Sequence, residues 1–457
     1  MNTIPSAITA LRAGAAKTCI TPTLGTPING DLTPIASRHI HDDLHVRALA
    51  LDDGSTRMVF AVVDTCLLDR GLFDEAKKLV QQQTGLAPEQ VMMSCTHTHS
   101  AGSACSAHLS EADPAYRAWL PGRIADAVRC AANNLAPAQI AWGRGSVPQH
   151  VFCRRLSIKS GMTYTNQLGA TNECAKMNWD SPHPADGEPT GPTDPEVSVL
   201  SIQHADGRPL ALLANYSLHY VGDVGTGHIS ADYFGAFADR IQQLLGANGQ
   251  DPPFIGILSN GTSGDINNWN PKVGPNSPAP YTRIREVADD VAQEVLRVVQ
   301  RMQHRRDVTL RARQGECVVA TRRPDADEIK KARAVVGARP VNQLKTWPEN
   351  YAREQLILAD YPAEVSMPLQ VFRIGELAVA AWPGEIFAAS GLNLKRQTPL
   401  YPLFNIGLAN GWYGYIPPPE QFPLGAYETW RMRTSFLETN AIPKMTASFV
   451  ELLKSLK

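Results

Sequence analysis

Two histidines stand one residue apart in Thr96-His97-Thr98-His99, and a third, His219, closes the run Asn215-Tyr216-Ser217-Leu218-His219. Imidazole suits two chemistries, a lone-pair donor to a divalent metal and a proton carrier near neutral pH. In an extended chain, residues two apart point to the same side, so His97 and His99 are expected to face one site. The same pair is compatible with hydrogen-bonded surface groups at a strand end, and a lone histidine beside apolar neighbours, such as His219, is commonly structural. Glu385 follows an apolar run and the break Pro383-Gly384. A carboxylate buried there without a partner is costly, so it calls for a cation. Tyr415, in Gly414-Tyr415-Ile416-Pro417, and Tyr427, in Ala426-Tyr427-Glu428, carry hydroxyls that either act or are satisfied inside packed aromatic surroundings. Two histidines and a glutamate suffice for a hydrolytic zinc site, which uses three protein ligands and leaves room for a water.

These residues lie at the ends of apolar segments. Met58 to Val63 reads as a buried strand, Leu72 to Gln83 as an amphipathic helix, and Val91 to Cys95 as a second strand that runs into Thr96. Leu210 to Ser217 is a strand leading to His219, and Ser230 to Leu245 has helical periodicity opened by Ser230 and Asp232. Phe254 to Leu258 empties into the Gly- and Ser-rich loop 259–265, and Leu377 to Ala381 breaks before Glu385. Ligands of open α/β folds bind beyond the carboxyl ends of the strands, so the four ends are expected to converge. Helices are also expected over Arg285 to Val299, Ala326 to Val336 and Pro443 to Leu456. The stretches Trp179 to Pro195 and Asn267 to Pro280 read as long loops, either surface excursions or covers for a site.

With 43 basic and 44 acidic residues in 457, the formal net charge is −1 and no global field would gather nucleic acid. No apolar run approaches the roughly 20 residues that span a bilayer, so no integral membrane segment is expected. The amino terminus MNTIPSAITALRAG lacks the basic start and long apolar core of a signal peptide. The eight cysteines are scattered without a C-x-x-C pair and read as free thiols of a reducing compartment. A cytoplasmic protein is expected.

The segments VMMSCTHTHS (91–100), Asn215 to His219, Gly264-Asp265-Ile266, Pro383-Gly384-Glu385-Ile386-Phe387, Gly414-Tyr415 and Tyr427-Glu428 occur in the order seen in neutral ceramidases. Supporting segments are HDDLHVRALALDD (41–53), GPTDPEV (191–197) and ISADYFG (229–235). The chain therefore resembles the neutral/alkaline non-lysosomal ceramidase family from about Gly14 to Glu428. The resemblance implies one α/β catalytic domain over residues 1–457, with mixed sheets flanked by helices and a C-terminal helix at 443–456. It implies Zn²⁺ held by His97, His219, Glu385 and Tyr415. It also implies that His99 and Tyr427 bind the reacting carbonyl or its oxyanion and that Arg154, in Cys153-Arg154-Arg155, contacts substrate.

Two departures shape the expectation. Family members carry a serine shortly after the Gly-Asp or Gly-Asn pair, whereas Asn267 follows Ile266 here. Asparagine cannot act as nucleophile but can orient a water or polarise a carbonyl, leaving water activated by the metal as the attacking group. Only a short tail follows Glu428, so the carboxy-terminal β-sandwich of many ceramidases is expected to be absent, and a smaller soluble amide or ester becomes as suitable as ceramide. The reading is a zinc-dependent hydrolase cleaving an N-acyl bond of a small-molecule substrate. Its rivals are a zinc-dependent lactonase or esterase of the same superfamily and a catalytically silent relative that binds a small acyl ligand.

Overall fold

Apolar residues occupy both faces of the central strands, and this forces a layered arrangement. In Arg57–Val63 (RMVFAVV), Val59, Ala61 and Val63 enter one core while Met58, Phe60 and Val62 enter another. Leu377–Ala381 divides in the same way, with Leu377, Val379 and Ala381 on one side and Ala378 and Ala380 on the other. Strands buried on both faces read as continuous apolar runs, which is why neither segment alternates with polar residues.

A computed structural model of the protein describes residues 11–275 and 279–457. The amino-terminal residues 1–10, and 276–278 of the long loop read at 267–280, lie outside the described residues. An eight-stranded sheet runs in the order Ile255–Asn260, Pro209–Tyr216, Glu196–His204, Ala136–Ser146, Arg12–Cys19, His45–Asp52, Arg57–Val63, Val91–Cys95. A four-stranded sheet runs Leu310–Ala320, Glu364–Ile374, Leu377–Ala381, Leu403–Ile406. The sheets share a core in which Phe60 meets Phe372 edge-on at 5.1 Å. Helices Arg70–Thr84 and Pro114–Asn133 cover one part of the larger sheet, and Asp232–Leu244 and Thr282–Val299 another. The last helix, Ala441–Lys454, packs Phe449 and Leu453 beneath the smaller sheet. This is the expected class, mixed sheets flanked by helices. Among the described residues no helix is long and apolar enough to cross a membrane, and all eight cysteines are unpaired.

The route by which the strand ends converge differs from the expected crevice of a parallel sheet. The edge pairs of the large sheet are parallel and every pairing between them is antiparallel. In a flat sheet that odd number of reversals would send the carboxyl ends of Val91–Cys95 and Pro209–Tyr216 in opposite directions. Neighbouring strands, however, twist by roughly 20–25°, so the seven steps across the sheet accumulate to roughly 140–175°. The two edges come back into contact. The segment after Leu403–Ile406 joins them: Gly407 N donates to Asn260 O at 3.0 Å, and Cys95 N donates to Leu408 O at 3.1 Å. Leu408 N in turn donates to Gly384 O at 3.1 Å, which brings the Glu385 segment to the seam.

Most elements match the sequence reading; Val91–Cys95, Leu377–Ala381 and Ala326–Val336 have the expected bounds. The helix expected from Ser230 begins at Asp232, because the Ser230 hydroxyl accepts from Asp232 N at 3.0 Å and so stands outside the first turn. Helices Pro114–Asn133 and Trp347–Ala359 have no counterpart in that reading. The first carries Pro121 in its interior, and both have weakly segregated apolar faces, so periodicity alone does not reveal them.

Candidate metal centre

The chain turns sharply where the first two histidines leave their strand. His97 has a φ of 76°, in the left-handed region, so Thr96 to His99 is not the extended segment that the spacing suggested. The rings meet through this kink instead, edge to face with Nε2 atoms 3.3 Å apart. A non-glycine residue in that region costs on the order of 1–3 kcal/mol and persists where surrounding structure enforces it. Here His97 Nδ1 lies 2.7 Å from Cys66 O, and His97 N donates to Thr65 O at 2.9 Å. A carbonyl can only accept, so Nδ1 carries a proton, and the neutral form of the ring offers the lone pair of Nε2 to the cluster. That is the tautomer a metal ligand needs, fixed by a backbone partner.

Three more groups surround His97 Nε2. His219 Nε2 is 3.1 Å away, Glu385 Oε2 3.3 Å, and His99 Nε2 lies 3.1 Å from His219 Nε2. Tyr415 is placed by the short parallel ladder in which Glu385–Ile386 pairs with Tyr415–Ile416, so Glu385 and Tyr415 are direct cross-strand neighbours. The Gly264–Asp265 loop packs against the Glu385 backbone so closely that a Cβ on Gly264 would lie 2.5 Å from Glu385 O. Gly30, at a φ of 115°, lies over His99, where a Cβ would be 2.5 Å from Nδ1.

The polar atoms of the donor set are not all satisfied by protein partners. Glu385 is 5% exposed; its Oε1 accepts from Trp412 Nε1 at 3.0 Å, while Oε2 is buried with no hydrogen-bond partner. A buried carboxylate oxygen with no conventional hydrogen bond, 3.3 Å from the imidazole Nε2 of His97, fits a cation shared by the two in place of a proton. His97, His219 and Glu385 place one ligand atom each within 4.8 Å of one another. Cys66, His97 and His99 form a second such group. It shares His97, so the two sets compete, and burial raises the Cys66 thiol pKa and keeps it protonated.

Charges around the cluster are strongly biased. With no cation present, Glu385 and His97 face each other as an ion pair: burial alone would raise the carboxyl, but His97 and the indole N–H of Trp412 hold it down to about 2, and burial alone would lower His97, but Cys66 and Glu385 beside it raise it well above its ordinary value. Burial lowers His99 to about 3, helped by the neighbouring His97 and Arg154, and lowers His219 well below the ordinary range. Both rings therefore stay neutral. Burial raises the phenols of Tyr415 and Tyr427.

Arg154 is 2% exposed and spans the cluster. Its Nε donates to Glu428 Oε1 at 2.8 Å, and its guanidinium lies over the Tyr415 ring at 5.2 Å. Its Nη1 donates to His219 Nδ1 at 3.0 Å, which puts the proton of the neutral His219 ring on Nε2, so this ring must turn over, or give up that proton, to offer Nε2 to a cation. The remaining nitrogen, Nη2, is buried without a partner. Glu428 is shared with Arg155, whose Nη1 donates to Oε2 at 2.7 Å, giving a fully buried Arg–Glu–Arg chain. Tyr427 packs edge-on to Tyr415 at 5.4 Å, with its hydroxyl 2.9 Å from His108 Nε2. Asn267 is less directly placed. It pairs with Phe152 in a short antiparallel ladder beside Arg154, and its side-chain amide donates to Trp269 O at 3.3 Å, with no hydrogen bond to the histidines.

Residues beyond those read from sequence complete the site. Trp412 orients Glu385, Cys66 O orients His97, and Glu428 anchors Arg154. Trp179, from the long loop at 179–195, packs against Trp347, Tyr427 and Trp430 at 5.2–6.1 Å. Of the two readings of that loop, its first residue follows the one that reaches the site. Only the Tyr427-Glu428 dipeptide carried a signal for any of them.

A buried His/Glu/Tyr cluster thus lies at the seam of a mixed two-sheet α/β fold. The sequence pattern of the family described as neutral/alkaline non-lysosomal ceramidase, N-terminal, matches residues 34–278, more than half of the chain. The chain belongs to that family. The fold is similar to that of neutral ceramidase from Pseudomonas aeruginosa, with a TM-score of 0.72 at 18% identity, covering 98% of this chain and 74% of that one. It is likewise similar to a ceramidase solved in complex with C2, with a TM-score of 0.71 at 16% identity, covering 98% and 75%.

Proposed function

We propose that this protein is a zinc-dependent hydrolase that cleaves the amide bond of a small N-acyl substrate, with His97, His219, Glu385 and Tyr415 as ligands. The observation that carries the reading is the buried Glu385 Oε2, which makes no conventional hydrogen bond and lies 3.3 Å from His97 Nε2. Zinc bound among such groups lowers the pKa of water and polarises a carbonyl. The residues supply the rest. Asn267 stands where the family carries serine and cannot form an acyl intermediate, so water is the nucleophile. Its place beside Arg154 suits orienting that water or the scissile carbonyl. Tyr427 donates its O–H, and His99 an N–H, to the carbonyl oxygen as negative charge develops there; each such donor is worth roughly 3 kcal/mol. Arg154, with Nη2 free, positions the acyl group. The buried, aromatic-walled surroundings exclude bulk water and strengthen these contacts.

Metal analysis of the purified protein, with hydrolysis of matched amide and ester substrates before and after chelation, tests the proposal. One zinc per chain and chelator-sensitive amide cleavage are expected. Glu385→Gln should lose both metal and activity, and a Glu385→Gln protein with full metal occupancy contradicts the ligand assignment. Preference for the ester or lactone would replace the amide reading, and inertness of the zinc-loaded protein on every substrate would leave a binding protein.

A further inference from the structure

The mechanism above makes Tyr427 a donor but leaves open what points its hydrogen at the substrate. Tyr427 Oη is 2.9 Å from His108 Nε2, and His108 Nδ1 is 3.2 Å from Asn350 Nδ2. All three residues are buried, Asn350 completely. Asn350 Nδ2 also faces the sulfur of Met432 at 3.7 Å, an atom that cannot donate, and this contact favours the amide nitrogen, not the oxygen, on the side of His108. An amide N–H at Nδ1 leaves the lone pair there and the imidazole proton on Nε2.

We infer that the Asn350–His108 pair acts as a positioning relay: it makes His108 Nε2–H donate to the Tyr427 oxygen, so that the phenol's own hydrogen is directed into the ligand cluster. His108 and Asn350 do not touch the reacting atoms. The relay rests on the reading of Tyr427 as an oxyanion donor.

Its construction goes against local stability. His108 adopts a φ of 52°, and Asn350 Oδ1 is buried with no partner. A packing role alone needs neither feature. His108 is clamped in place, its carbonyl accepting from Arg353 Nη1 at 2.7 Å and Arg433 Nη2 at 2.9 Å, and its ring meeting Trp347 edge-on at 5.3 Å. Burial lowers its pKa to about 4, so the ring is neutral and its tautomer is set by hydrogen bonding alone.

The test is the tautomer of His108 in protein labelled with ¹⁵N-histidine, read by nitrogen-to-ring-proton correlation and assigned by its displacement in Tyr427→Phe. The relay requires the Nε2–H form in the wild type, and an Nδ1–H ring overturns it. Asn350→Leu removes the amide donor. A mixture of tautomers is then expected, with kcat reduced about tenfold, KM within twofold, zinc content unchanged and no further loss when combined with Tyr427→Phe. Losses that multiply in the double variant overturn the relay. The tautomer is legible without turnover, so an inert protein with a Nε2–H His108 retains the relay and rejects only the hydrolase reading.

Discussion

Glu428 is the residue whose removal the structure predicts most sharply. Its carboxylate is fully buried and accepts from Arg154 Nε at 2.8 Å and from Arg155 Nη1 at 2.7 Å, and the two guanidiniums hold its pKa down against the burial that would raise it. Arg155 is also fully buried and keeps only neutral partners besides it: Gln421 Oε1 at 3.1 Å and Gly425 O at 2.8 Å. Glu428→Ala therefore strands two positive charges in the interior, and breaking one such buried pair costs about 3–5 kcal/mol. At roughly 2.1 cal/mol/K per residue, the 457-residue chain unfolds with an entropy near 1 kcal/mol/K. A loss of about 4 kcal/mol then corresponds to a Tm lower by about 4 °C. Glu428→Gln keeps one acceptor and should lie between the wild type and Glu428→Ala. Urea unfolding with parallel thermal melts measures both, and turnover should fall with stability because Arg154 loses the anchor that holds it beside His219. A Glu428→Ala protein within 1 kcal/mol of the wild type would refute the view that this chain of charges is a dry structural unit.

Two further perturbations bear on the site and on its scaffold. Gly30→Ala places a Cβ 2.5 Å from His99 Nδ1 at a φ of 115°; activity should fall at least tenfold while the protein stays folded, and near-wild-type turnover with an unchanged melt would show that the loop over His99 is not packed as described. Lys77, buried on the helix Arg70–Thr84, has its ammonium lowered by burial to about 8 from an ordinary value of 10.5. Because the folded pKa is the lower one, the folded state binds that proton less tightly than the unfolded chain. The penalty is thus present below pH 8 and relieved as pH rises toward 10.5. Lys77→Met should be more stable than the wild type by about 3 kcal/mol at pH 7, with the difference shrinking above pH 8; a variant no more stable at pH 7 rejects the buried charge.

How much of this was legible before the fold was known depends on how local the physics is. The strand Val91–Cys95 and the break before Glu385 declare themselves because apolar runs ending in polar residues are properties of contiguous sequence. His97, His219 and Glu385 could be nominated from such ends, but no spacing along the chain says that they meet. Their meeting depends on accumulated twist across eight strands and on Gly407 and Leu408 bridging the two edges of the sheet. The extended geometry invoked for His97 and His99 was a local argument, and it failed because the left-handed His97 is imposed from outside, by Thr65 and Cys66. His108 and Asn350 had no signal at all: they are separated from each other by 242 residues, and neither follows an apolar strand. What makes them matter is the direction of one hydrogen bond, a property of three side chains together. A ligand set can thus be nominated from the ends of elements, whereas the groups that fix tautomers and aim donors are specified only by the packed fold.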